Sequence, residues 1–111
     1  MNYHNKKFRL ISNSENGEVS DDMVFHYQQN GNILTCTYQG ENIIKGHLIG
    51  LVDTKGNIEM RYHQINKNNE LKTGVCQSTP TILKNGKIRL FENWQWTSGN
   101  NSKESSILEE I

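Results

Sequence analysis

The stretch Gly46-His47-Leu48-Ile49-Gly50-Leu51-Val52-Asp53-Thr54-Lys55-Gly56-Asn57-Ile58-Glu59-Met60-Arg61-Tyr62-His63-Gln64 decides the fold. A turn across Asp53–Asn57 sets Val52 opposite Ile58, Gly50 opposite Met60, Leu48 opposite Tyr62 and Gly46 opposite Gln64. These residues share one face, and the reverse face carries His47, Glu59, Arg61 and His63. Successive side chains of a strand point to opposite faces, so a slip of one residue would exchange the apolar set for the charged one. The separation predicts an antiparallel hairpin with one face for a core.

The same reasoning extends in both directions. A two-residue turn at Asn30-Gly31 is expected to place Tyr27 opposite Leu34, Phe25 opposite Cys36 and Met23 opposite Tyr38, all on one face. Further on, Ile88, Leu90, Glu92, Trp94 and Trp96 alternate with Arg89, Phe91, Asn93, Gln95 and Thr97, and the first set is expected to point inward. Glycine and asparagine, which tolerate the positive φ of tight turns, recur at Gly40, Gly56-Asn57, Asn66 to Asn69, Asn85-Gly86 and Gly99-Asn100. They leave eight strand-length segments, near residues 6–12, 22–29, 32–39, 43–53, 57–66, 70–79, 87–97 and 105–111. The parity between 57–66 and 70–79 stays open, because the connecting loop has no defined length. No segment shows a helical period.

Consecutive hairpins without crossover helices make a meander, and eight strands can close into a barrel that leaves no exposed edge. The expected fold is therefore all-β: a single eight-stranded antiparallel up-and-down barrel over residues 1–111, with a two-sheet sandwich of the same strands as the alternative. A barrel of this size has room for its own side chains or for one small ligand.

Bulk properties narrow the function. With 111 residues the chain supports one core, and only 33% of it is hydrophobic. Twelve basic residues balance twelve acidic ones, without the basic patch that a nucleic-acid backbone requires. No apolar run is long enough to span a membrane as a helix, and residues 1–9 lack the apolar centre of a signal peptide. The expected location is cytoplasmic, where Cys36 and Cys76 read as small wall residues rather than a disulfide.

In a meander, alternate turns lie at one end. The turns at 39–42 and 66–69, the loop at 98–104 and the connection at 13–21 are therefore expected around one mouth. Long loops on a rigid scaffold are where binding usually resides. The inward residues nearest that mouth are Tyr38, Tyr62, Gln64, Trp94 and Trp96, with Glu92 deeper, and Phe25, Leu48, Met60 and Leu90 towards the other end. Tyrosine and tryptophan combine an apolar body with a polar tip, which suits a half-wet pocket for a small organic ligand. The bland alternative is that these rings fill the barrel. An inward carboxylate is costly unless paired or hydrogen-bonded, so Glu92 should find a partner such as Tyr62 or Gln64, or anchor a ligand.

Other chemistry finds no support. His47 and His63 face each other, but zinc takes at least three protein ligands, so no metal is expected. There is no glycine-rich phosphate cradle between strand and helix, no nucleophile elbow and no marked Cys/His pair, so no catalytic residue and no cofactor is assigned. On the outer face Ile49, Leu51 and Phe91 would favour a homodimer if they join into one patch.

Four segments together carry a resemblance: Lys45 to Asp53, Met60 to Gln64, Gly74 to Pro80 (Gly-Val-Cys-Gln-Ser-Thr-Pro) and Trp94 to Gly99 (Trp-Gln-Trp-Thr-Ser-Gly). The chain resembles a family of small bacterial proteins commonly labelled N-acetylglutamate synthase. That resemblance implies acetyl transfer from acetyl-CoA to glutamate. The Arg/Gln-x-x-Gly-x-Gly/Ala segment that opens a helix in the acetyltransferase fold does not occur here. In architecture alone, a barrel with tryptophan and tyrosine at its mouth is similar to avidin-like and lipocalin-like binders. The leading expectation is a non-enzymatic barrel with a small ligand at its mouth. Acetyl transfer and a homo-oligomeric scaffold are the alternatives.

Overall fold

In the computed structural model, which describes residues 1–13, 23–99 and 101–111, nine antiparallel strands and no helix are found among the described residues. The strands are β1 (Lys7–Asn13), β2 (Val24–His26), β3 (Gln28–Asn30), β4 (Ile33–Tyr38), β5 (Ile43–Val52), β6 (Ile58–Asn66), β7 (Leu71–Ile82), β8 (Ile88–Trp96) and β9 (Lys103–Glu110). They form one sheet in the order β2-β1-β9-β8-β7-β6-β5-β4-β3. The borders, β2 and β3, are two halves of a single length of chain parted at Tyr27. One half pairs with β1 and the other with β4. The sheet thereby returns on itself, and the sandwich alternative is set aside.

Nine strands rather than eight is thus one expected strand counted twice, and the reason is local. The Tyr27 N–H donates to Lys6 O, and Tyr27 O accepts from Asn5 N–H, each at 2.9 Å. At this residue the backbone leaves both neighbouring ladders and turns to the N-terminal segment.

The β5–β6 hairpin has the expected register throughout, from Val52 against Ile58 to Gly46 against Gln64. Asp53 holds its turn, one carboxylate oxygen accepting from the N–H groups of both Lys55 and Asn57 at 2.9 Å. The β3–β4 hairpin needs a correction. Its turn is Gly31-Asn32, not Asn30-Gly31, with Gly31 at φ 62° and Leu34 opposite Gln29 rather than Tyr27. The displacement is two residues, so parity survives, and Met23, Phe25, Tyr27, Leu34, Cys36 and Tyr38 are all buried as expected.

A four-residue connection, 67–70, settles the open parity between β6 and β7. The Asn66 side-chain oxygen accepts from the N–H groups of Asn68 and Glu70, at 3.0 Å each. Met60 then lies opposite Cys76, Tyr62 opposite Gly74 and Ile58 opposite Ser78. Strand β7 also runs through Pro80 to Ile82, past the expected end at Thr79. Proline is tolerated there because the β6 ladder ends at Ser78, leaving no donor demanded on that side. Strand β9 starts at Lys103, two residues early.

Away from the mouth, the barrel is stopped by aromatic rings. Tyr3, Phe8 and Tyr27 are wholly buried, with Phe8 and Tyr27 centroids 4.9 Å apart and Tyr3 at 6.2 Å from each. Tyr3 O–H donates to Gly56 O, and Tyr3 N–H donates to Gln29 Oε1 at 2.9 Å. The N-terminal residues therefore plug one end and leave the other for a site.

Candidate functional site

Tyr38, Tyr62, Gln64, Glu92, Trp94 and Trp96 all line a single internal cavity of about 70 Å³. The ends of β4, β6 and β8 carry them there, and the turns at 39–42 and 67–70 lie at the same end as Thr97 and Ser102. The expected mouth also included the 13–21 connection and the 98–104 loop. Residues 14–22 and 100 lie outside the described residues.

Two of the rings are seated by glycines. Tyr38 pairs with Gly46 and Tyr62 with Gly74 across adjacent strands. A Cβ placed on Gly46 would fall 2.2 Å from Tyr38 Cε2, and one on Gly74 would fall 2.2 Å from Tyr62 Cζ. The bare backbone is what lets each ring lie flat on the wall. Of the two, Tyr38 has less room to retreat, because it is buried and its O–H donates to Gln64 Oε1 at 2.8 Å. Gly46→Ala is therefore expected to cost about 1–3 kcal/mol in chemical denaturation. A loss below about 0.5 kcal/mol would show that the Tyr38 ring is not held.

The tryptophans form the upper wall. Trp94 and Trp96 meet edge to face at 5.3 Å, and Trp96 meets Tyr62 in the same way at 5.7 Å. Trp94 Nε1–H donates to Ser106 Oγ at 2.9 Å, across to β9. The Lys72 ammonium sits 5.1 Å from the Trp96 ring centroid, a cation–π contact at the rim. Neither Ser106 nor Lys72 was singled out from sequence. Both lie on strands whose parity the tryptophans alone do not set.

Glu92 points inward as its alternation requires, but its partner is not Tyr62 or Gln64. Ser78, its cross-strand neighbour on β7, donates Oγ–H to Glu92 Oε2 at 2.6 Å. Ser78 became inward-facing only once the β6–β7 parity was known, and Gln64 is engaged by Tyr38. Enclosure among apolar walls pushes the Glu92 carboxyl up to about 7, against the opposing pull of the Ser78 hydrogen bond. The Tyr27 hydroxyl, which faces the same cavity, is fully buried with no hydrogen-bond partner among the described residues. Burial, and next the Glu92 charge, raise its pKa well above the usual tyrosine value.

The remaining groups are quiet. Cys36 and Cys76 are free and buried in the wall, and burial raises both thiols. His47 and His63 face each other outside with ring centroids 5.3 Å apart. Among the described residues no group of three metal-ligating side chains occurs. The cavity offers apolar walls from Phe25, Leu48, Met60 and Leu108 and one acidic group at depth. Such an arrangement can enclose and orient a small group.

Compared with known proteins, residues 1–111 match a family model described as avidin-like protein. No curated protein and no solved structure matches the chain.

Proposed function

The chain belongs to the avidin-like family, and from that premise we propose that it binds a small organic ligand through the open end of its barrel. The observation that carries the reading is the convergence of Tyr38, Tyr62, Gln64, Glu92, Trp94 and Trp96 on one cavity. Its volume, about 70 Å³, is roughly half that of the engineered cavity of about 150 Å³ that admits benzene. The enclosed part of the ligand is therefore one small group, and any remainder rests against Tyr62 and Trp96 at the rim.

Because the only two tryptophans both line the site, intrinsic fluorescence reports on it directly. Titration with a panel of small metabolites is expected to shift emission for a subset of them. No response from any compound would end the proposal. Acetyl transfer is the competing reading, and a cavity of this size does not enclose an acyl-CoA arm beside glutamate. Incubation with acetyl-CoA and glutamate is expected to release no thiol above a blank.

A second reading, self-association, is favoured by the outer face of β4 and β5. Ile33 and Leu51 are cross-strand partners there, with Ile49 alongside, and each is about half exposed. Phe91 belongs to β8, three strands away, and does not extend this patch. Light scattering of the wild type and of Ile49→Lys is expected to show a dimer and a monomer respectively. Equal masses would remove this face as a contact.

A further inference from the structure

We propose that the floor of the cavity selects a ligand group bearing a basic nitrogen, an amine or amidine, seated between the Glu92 carboxylate and the Tyr27 hydroxyl. This rests on the ligand-binding reading above and adds the chemistry of the enclosed group.

Three observations carry it. The first is the charge of the box: among the described residues that line the cavity there is no lysine, arginine or histidine, so none of them pairs Glu92 as a cation. The groups facing it are Cys36 and Tyr38 of β4, Tyr62 of β6, Cys76 and Ser78 of β7, Ser106 of β9, and Tyr27 between β2 and β3. Ser78 and Ser106 carry no charge, and burial keeps Cys36, Cys76, Tyr27 and Tyr38 protonated.

The second is hydrogen-bonding capacity left over. Among the described residues, the one hydrogen bond to Glu92 comes from Ser78 and reaches Oε2, which leaves Oε1 for another donor. Among the described residues the Tyr27 hydroxyl is unpaired, and it is fully buried, a state in which native structures rarely leave a polar group without a partner. A protonated amine brings several N–H donors, enough for the carboxylate and the phenol oxygen together.

The third is the surroundings. Phe25, Leu48, Met60 and Leu108 make the walls apolar, which suits a short alkyl stem and strengthens a charge pair inside. A carboxylate guest would instead bring a second negative charge to a box without a cation.

The test uses matched probes: methylammonium and 2-phenylethylamine, with 2-phenylethanol as the neutral isostere and 3-phenylpropanoate as the acidic one. Affinity is read by tryptophan fluorescence and calorimetry at pH 5.5 and pH 8. At pH 8 the amine is expected to bind about tenfold or more tightly than the alcohol. The gap should narrow at pH 5.5, where the Glu92 carboxyl, held up near 7, keeps its proton. Glu92→Gln is expected to erase the gap while leaving the alcohol's affinity. Tyr27→Phe is expected to weaken amine binding several-fold while raising Tm, since it removes an unpaired buried hydroxyl. Equal affinity for amine and alcohol in the wild type, or tighter binding of the propanoate, overturns the selectivity but leaves ligand binding intact. Silence from all four probes and from the metabolite panel overturns both.

Discussion

Glu92→Gln is expected to stabilise the protein at pH 8 and to leave it nearly unchanged at pH 4. Folding raises this carboxyl from an ordinary 4.5 up to about 7 because apolar walls penalise the charged form. Across that window the folded protein keeps a proton that the unfolded chain has released. Stability therefore falls as pH rises from about 4.5, and the full penalty stands above about 7. A difference of this size corresponds to about 3 kcal/mol. Glutamine carries no charge to desolvate, and its amide oxygen can still accept from Ser78 Oγ. Its amide N–H groups then have the Tyr27 oxygen within the same cavity. Urea denaturation between pH 4 and pH 8 measures the effect. Wild type and variant curves that run parallel would show that the carboxyl is solvated in the folded state.

Tyr3→Ala is expected to be the most damaging single truncation, with a loss of about 3–5 kcal/mol. The ring is wholly buried and packs against Phe8 and Tyr27. Its removal also withdraws the donor from Gly56 O. Set against a total of about 5–15 kcal/mol for a domain, the loss puts the fold near its limit. Tyr3→Phe separates the two contributions: it keeps the ring and is expected to cost about 1–3 kcal/mol through the stranded carbonyl. Thermal denaturation of both variants provides the comparison. A Tyr3→Ala protein within about 1 kcal/mol of wild type would mean that the plug is dispensable.

How much of this was legible beforehand depended on parity. The β5–β6 register was readable because Asp53 and Asn57 bracket a turn of fixed length, and the apolar and charged sets then separate cleanly. Glu92, Trp94 and Trp96 followed from simple alternation along β8, and so did their meeting in one cavity. The turn falls at Gly31-Asn32, but asparagine and glycine suit either pair of turn positions, and a one-residue move of the turn shifts each cross-strand pairing by two, which leaves every face unchanged. The Ser78 partner was out of reach for the opposite reason. The 67–70 loop admits either parity, and a single residue of uncertainty turns Ser78 from wall to surface. Tyr3 and the break at Tyr27 are contacts between distant parts of the chain, which alternation within a strand cannot signal.

The way the ring is fastened has a dynamic consequence. Among the described residues, nine residue pairs hold β5 to β6 and nine hold β7 to β8, whereas β2 meets β1 through three and β3 meets β4 through three. Breathing of the collar should concentrate at this clasp, where amide protons exchange soonest. Tyr27 belongs to the clasp through its backbone and to the cavity through its side chain, so a guest held by its hydroxyl would also slow the unclasping.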